Sequence, residues 1–403
     1  MHVAFVAPFL MEATLRFVEG AARLPGIQLS LISQDPLERI PSALCTRLAG
    51  HWQVQDAFDP AELVSAAVGL ARRKGPVERL IGSLEQLQET LALARERLGL
   101  PGLPVSVARN FRDKSRMKDL LRAAGVPCAR HRLAESPAAA REFAATTGFP
   151  IVVKPPAGAG AAGTYRLDDA AALERYLAAH PPDAARPALF EEFLSGEEHS
   201  FDSVVIDGRM VFWSVSRYLP SPLTVMENPW IQWCVLLPRD LDGYDDIRAV
   251  GARALGALGL DSGMTHMEWF RRPDGSVAVS EVAARPPGAQ FTSLLSYAHD
   301  TDFYEAWPRI VIENRFEPPA RRWAVGAAYV RGQGSGRVRR IHGLDTAQRE
   351  LGRLVVEARL PQPGTNQGSG YEGAGHVILR DRETGPVEQG LRRRVSLIRV
   401  ELE

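Results

Sequence analysis

The sequence predicts a mixed α/β (α+β) fold in several lobes, parallel in its first part and strand-rich beyond. Three observations carry that expectation. Apolar runs alternate with helical stretches through roughly the first 100 residues, a rhythm that builds parallel sheets. Residues 186–285 are rich in strand formers, and short strands with glycine-rich turns recur from about residue 321 to the end. At 403 residues the chain exceeds one ordinary domain and suits two or three lobes.

Taken in order, residues 2–7 read as a buried strand, 12–24 as a helix and 27–33 as the next strand. Residues 60–73 and 85–98 have helical periodicity, and 76–82 form a further strand edge. Pro8-Phe9-Leu10, not a glycine-rich loop, follows the first strand, so a dinucleotide fold is not expected there. Leu100-Pro101-Gly102-Leu103-Pro104 reads as a joint. Asp113 can cap a helix over 114–124, which Gly125 and Pro127 end. A second helix, 136–147, leads to the apolar strand 151–154, and another at about 244–258 interrupts the strand-rich region.

Composition narrows the function. Lys plus Arg and Asp plus Glu balance at 48 each, so no global field favours nucleic acid or an anionic membrane. No run approaches the ~20 apolar residues of a membrane helix. The N-terminus enters a strand at once, without a basic segment or cleavage site, so export is not expected. Cys45, Cys128 and Cys234 are odd in number and scattered, which disfavours disulfides and a cysteine-rich zinc site and suits the cytoplasm. Only four of the 48 basic residues are lysine: Lys74, Lys114, Lys118 and Lys154. Where arginine supplies most positive charge, a retained lysine hints at a need for a compact ammonium.

Residues 158–163, Gly-Ala-Gly-Ala-Ala-Gly, match the dinucleotide fingerprint, but a strand and prolines precede them and a second short strand follows. The context is strand, loop, strand. It fits a hairpin loop whose bare amides fold over phosphates, or a plain surface loop of small residues. Lys154 closes the strand before that loop. Lys114 opens a helix, near positive amide ends, which is poor for a structural cation and good for an anion site. After the apolar run Ala188-Leu189-Phe190 come Glu191, Glu192, Phe193, Leu194 and, further on, Glu198. That arrangement is either a sheet edge or an adenine and ribose pocket.

The strongest inference concerns Glu268 and Glu281. Two strand-like runs flank Pro273-Asp274-Gly275, a hairpin signal. A two-residue Asp274-Gly275 turn sets Glu268 directly across from Glu281. Opposed carboxylates with β-carbons about 4.5–5.5 Å apart repel each other. Proton sharing would relieve this; so would a divalent cation with few protein ligands, the magnesium pattern; outward solvated glutamates are the third reading. Arg285, beyond the strand end, could orient a carboxylate or grip an oxyanion, aimed by Pro286-Pro287-Gly288.

Together these motifs resemble the ATP-grasp superfamily over roughly residues 110–300, carboxylate–amine ligases that make dipeptides above all. The resemblance implies an N-terminal parallel α/β lobe (1–100), a small grasp lobe with the glycine-rich loop (101–185), a large lobe with the magnesium site (186–320) and a small C-terminal α+β lobe (321–403). It implies ATP contacts from Lys114, Lys154, Gly158, Gly160, Gly163, Glu191, Phe193, Leu194 and Glu198, magnesium ligands Glu268 and Glu281, and a catalytic Arg285. Family members often place asparagine two residues after the second glutamate. Ala283 stands here, which leaves a second Mg²⁺ open beside the first or leaves Glu281 to bridge both ions alone. The implied activity joins a small carboxylate to an amine or thiol through an acyl phosphate, with His266, Trp230, Trp233 and His299 as candidates for the acceptor pocket. Alternatives are a phosphate-transferring or biotin-carboxylase-like enzyme, although the charged residues that carboxylases place after the arginine are absent from Pro286-Pro287-Gly288-Ala289-Gln290. A non-catalytic nucleotide-binding module is a third. Residues 321–403 would supply an acceptor wall or a homodimer surface.

Overall fold

In the computed structural model, which describes residues 1–158, 163–228, 232–367, 370 and 372–403, the first hundred residues form the expected parallel sheet. Strands β1 (His2–Val6), β2 (Gln28–Ser33), β3 (Gly50–Gln53) and β4 (Arg79–Ile81) run in the order β3-β2-β1-β4. β1 pairs with both neighbours in parallel and is buried along its whole length, as the apolar run 3–6 requires. The helix Glu12–Arg23 packs on the helix Phe303–Glu313. Their approach is close: a β-carbon on Gly20 would meet the Tyr304 carbonyl oxygen at 2.2 Å, so only glycine fits. Phe17 lies 4.8 Å from Tyr304 and 5.3 Å from Trp307, centroid to centroid. Each such buried aromatic contributes on the order of 2–3 kcal/mol. The first lobe thereby shares one hydrophobic core with the body of the protein.

Strands β5 (His131–Ala134), β6 (Ile151–Lys154), β7 (Tyr165–Leu167) and β8 (Ala188–Glu192) form a small antiparallel sheet, β5-β8-β6-β7. The large sheet follows: β9 (Glu197–Ile206), β10 (Arg209–Leu219), β11 (Cys234–Leu237), β12 (Gly263–Arg271), β13 (Val277–Ala283) and β14 (Ala324–Val330). β15 (Val338–His342) pairs only with β18 (Arg399–Leu402), while β16 (Val355–Arg359) and β17 (Gly375–Asp381) extend the large sheet to the order β13-β12-β9-β10-β11-β14-β17-β16. The C-terminal region is thus α+β in make-up, yet it is joined to the large sheet through β14, β17 and β16. Apolar alternation in short strands shows which face is buried, not which sheet they join.

Asp113 caps the helix Lys114–Ala123 by accepting from the N–H groups of Ser115 and Arg116. That cap fixes Lys114 at the mouth between the two antiparallel sheets. No helix among the described residues is long and apolar enough to cross a membrane.

Candidate active site

Residues of the small sheet, the large sheet and the first lobe line one open cleft. Glu268 and Glu281 stand side by side on its wall, paired across the β12–β13 hairpin. Two offsetting irregularities produce that pairing. The turn is a three-residue loop, 273–275, closed by the Arg272 N–H on the Ser276 carbonyl at 2.8 Å, with Gly275 at φ +84°. This shifts the register by one and sets Trp269 opposite Val279. A bulge at Ser280 shifts it back, so Glu268 meets Glu281. The bulged Ser280 carbonyl accepts from Lys118 Nζ at 2.7 Å.

Three of the four lysines converge here. Lys114 Nζ lies 2.8 Å from Glu281 and donates to the Gly158 carbonyl at 2.8 Å. Its backbone N–H donates to the Pro156 carbonyl at 2.9 Å, which ties the helix start to the glycine-rich loop. Lys154 and Lys118 sit on the two oxygens of Glu191, at 3.0 and 3.3 Å. Burial alone would raise the Glu191 carboxyl, but the two ammonium groups hold it below its usual range. Burial likewise works against the Lys154 ammonium, and Glu191, Glu281 and Glu268 outweigh it. At Lys118, which is fully buried, desolvation wins and the pKa falls. Lys74, by contrast, is exposed.

Glu268 is pushed up by burial first and by Glu281 second. Glu198, on β9, is pushed well up by burial and then by Glu268. The site therefore holds more carboxylate than its ammonium groups neutralise. Among the described residues no group of three or more His, Cys, Asp or Glu side chains could hold one ion. The pair Glu268 and Glu281 offers hard oxygens and few of them, a donor set that fits Mg²⁺ whose remaining positions are filled by phosphate and water.

The residues expected to hold the nucleotide divide. Glu191, Phe193, Leu194, Glu198 and Gly158 all line the cleft. Phe193 lies under the Arg166 guanidinium at 4.4 Å, and its N–H donates to the Pro150 carbonyl at 3.3 Å. Gly163 adopts φ +70° beside the loop. Gly160 lies outside the described residues.

At the other end of the cleft Arg285 grips a carboxylate that the sequence did not announce. Its Nε and Nη2 donate to one oxygen of Glu85 at 3.1 and 2.8 Å, and Arg112 Nη1 donates to the other at 2.5 Å. Burial would raise Glu85; Arg285 and then Arg112 hold it below the usual range. His266 and Trp233 line this end with Tyr218 and Phe291. Trp230 lies outside the described residues.

His299 does not join them, contrary to the expectation. It is buried against Phe212 at 5.1 Å and Phe303 at 5.8 Å, with Nδ1 3.2 Å from the Pro319 carbonyl. Desolvation lowers its pKa to about 4. Sequence reading also passed over Glu85, Lys118, Tyr218 and Phe291. Lys118 alone carried a usable signal, being a scarce lysine four residues, about one helical turn, after Lys114.

A fold with this division, a parallel lobe followed by two antiparallel sheets clasping a cleft, defines a class. Its fold is that of the ATP-grasp ligases. Residues 113–209 match the model of the carbamoyl-phosphate synthase L chain, ATP binding domain. Over 276 residues the chain is 24% identical to the L-arginine-specific L-amino acid ligase of Bacillus subtilis, covering 64% of each protein. It is 27% identical over 261 residues to the alanine–anticapsin ligase of Bacillus subtilis strain 168, covering 59% of this chain and 54% of that one. These matches span about half to two thirds of the relatives' own lengths. In three dimensions the L-amino acid ligase from Bacillus licheniformis superposes with a TM-score of 0.78 at 19% identity, covering 100% of this chain and 98% of the other. The N5-carboxyaminoimidazole ribonucleotide synthetase from Thermotoga maritima gives 0.72 at 16% identity, covering 100% and 99%.

Proposed function

We propose that this chain is a cytoplasmic, ATP-dependent carboxylate–amine ligase that forms ADP and phosphate through an acyl phosphate. The observation that carries the reading is the opposed pair Glu268 and Glu281, flanked by Lys114 and Lys154 in one cleft. Mg²⁺ held by that pair would neutralise charge on the nucleotide's phosphate oxygens. Lys114 and Lys154 would bind the same phosphates, and the loop around Gly158 would cover them and exclude water. Leu194 and Phe193 would line the adenine side, with Glu198 near the ribose.

In the first step an oxygen of the substrate carboxylate attacks the γ-phosphorus, the bond to the β–γ bridging oxygen breaks, and ADP leaves. In the second the amine nitrogen attacks the acyl carbon, the C–O bond to phosphate breaks to release phosphate, and the nitrogen gives up a proton to solvent. Arg285, held rigid by Glu85, would stabilise the oxyanion between these events. One Mg²⁺ is proposed, because Ala283, opposite His266, offers no ligand oxygen. The resemblance to amino acid ligases supports amino acids as substrates.

The test is ADP release with amino acids supplied singly and in pairs. Release that requires a carboxylate and an amine together is the expected outcome. Dependence on bicarbonate would recast the chain as a carboxylating enzyme, and release indifferent to any acceptor would refute ligation.

A further inference from the structure

A buried polar chain leads from the large sheet to the cleft and is not explained by nucleotide binding. Asp202, on β9, is fully buried. One of its oxygens lies 2.6 Å from His266 Nδ1, and the other accepts from Ser200 Oγ at 3.0 Å. Ser200 in turn bonds Ser216 on β10. Register explains the alignment: His266 is paired with Asp202 across β12 and β9, and Ser200 with Ser216 across β9 and β10. Their side chains therefore share one face of the sheet. A buried carboxylate surrounded by hydroxyls is costly to keep unless it has partners. Its hydrogen-bond partners are the His266 imidazole and the Ser200 hydroxyl, and the buried Arg321 guanidinium lies close enough to feel its charge.

This arrangement has a chemical result. Nδ1 is taken up by Asp202, which leaves Nε2 as the ring nitrogen open to a partner in the cleft. That nitrogen faces the cleft, 3.5 Å from the Tyr218 hydroxyl and 3.9 Å from Glu268. Both contacts are too long to occupy it well. The residue paired with His266 on its other side is Ala283, a single methyl that also lines the cleft. Phe291 packs edge-on against the ring at 5.2 Å, and Trp233 and Tyr218 complete an aromatic wall. This is an oriented ring nitrogen in an aromatic recess, beside the carboxylate proposed to hold the metal and hence beside the reacting phosphate.

We propose that His266 Nε2 receives an N–H of the acceptor amine and aims its nitrogen at the acyl carbon, and that Asp202 is the positioning residue that keeps Nε2 an acceptor. This deepens the proposed function and rests on it. The amine carries an apolar or aromatic group that fills the wall formed by Phe291 and Trp233.

Two half-reactions separate the inference from the reading beneath it. Hydroxylamine at high concentration traps an acyl phosphate without using the amine site, so hydroxamate formation reports the first step, and dipeptide or amide formation reports both. Asp202→Asn can donate to Nδ1 and favour the opposite tautomer. It should lower kcat/KM for the amine roughly 10-fold or more, while KM for ATP and carboxylate-dependent hydroxamate formation stay near wild type. Because Asp202 is buried, a second series guards against misfolding. His266→Gln keeps an acceptor near the Nε2 position and should retain more amine-dependent turnover than His266→Asn or His266→Ala. Equal loss in all three histidine variants would overturn the proposal, as would an Asp202→Asn effect falling on the KM of the carboxylate substrate or of ATP. If wild type itself forms neither hydroxamate nor amide, the proposed function fails first.

Discussion

The two ends of the cleft are built in opposite ways. The end proposed to bind phosphate presents its groups on local devices: a capped helix start for Lys114, a strand end for Lys154, and a hairpin that brings Glu268 to Glu281 within 13 residues of sequence. Lys114 and Lys118 nonetheless reach their partners Glu281 and Ser280 from far along the chain. The acceptor end is assembled from afar. Glu85 meets Arg285 across 200 residues, and His266 meets Asp202 across 64. The phosphate end is also dense in paired charge, while the acceptor end sets one ion-pair cluster beside an aromatic wall. Binding a nucleotide needs a fixed set of charges, and short-range motifs provide it. Choosing an acceptor needs shape, and shape is set by packing between lobes.

Variants can break or sharpen this contrast. The largest effect is expected at the phosphate end. Glu281→Ala removes one of the two opposed carboxylates and should cut ADP release by several kcal/mol of transition-state stabilisation, roughly 10³-fold. Folding should survive, since the change also removes repulsion at Glu268 and leaves Lys114 its bond to the Gly158 carbonyl. A melting temperature near wild type with activity lost is the expected pair of readings; activity near wild type would refute the metal assignment.

A smaller effect is expected from Glu85→Gln. The amide can no longer anchor both Arg112 and Arg285 as a carboxylate does. Arg285 would then wander, at a cost of about 10–100-fold in overall turnover, because small misplacements of an aiming residue are expensive. KM for ATP should change less, since the Glu85 carboxylate bonds Arg112 and Arg285 and touches Lys114 only through its charge. If steady-state kinetics instead show the loss in ATP affinity, the two ends are not separable in the way described.

How much of this could be read in the sequence follows the same division. The Glu268–Glu281 pairing was legible because Asp-Gly between two strand-like runs fixes a hairpin, although the turn holds three residues and the Ser280 bulge restores the register. The lysines were legible because so few remain in an arginine-rich chain. Glu85, Asp202 and Tyr218 were not, because nothing in an isolated residue tells which distant strand it will face. The C-terminal strands were legible as strands, but their membership in the large sheet depends on pairings that alternation does not encode. Trp233, His266 and His299 are alike as sequence candidates, and packing sorts them: His266 and Trp233 to the cleft, His299 to the core.

His299 gives the mildest and most discriminating test of that sorting. Its pKa of about 4 lies below the ordinary 6.5 because burial disfavours the charged ring. As pH falls from 6.5 towards 4 the unfolded chain takes up a proton that the folded ring refuses, so stability is lost across that window and is fully present above it. His199, stacked on Trp269 at 4.5 Å and also lowered to about 4, acts in the same sense. His299→Leu should cost about 1 kcal/mol at pH 8, through the lost contact to the Pro319 carbonyl. It should also flatten, without abolishing, the fall in melting temperature between pH 6.5 and 4, because His199 remains. Amine-dependent turnover at pH 8 should stay within about twofold of wild type. A large rise in KM for the amine in this variant would bring His299 back to the acceptor end and erase the boundary between core and cleft drawn here.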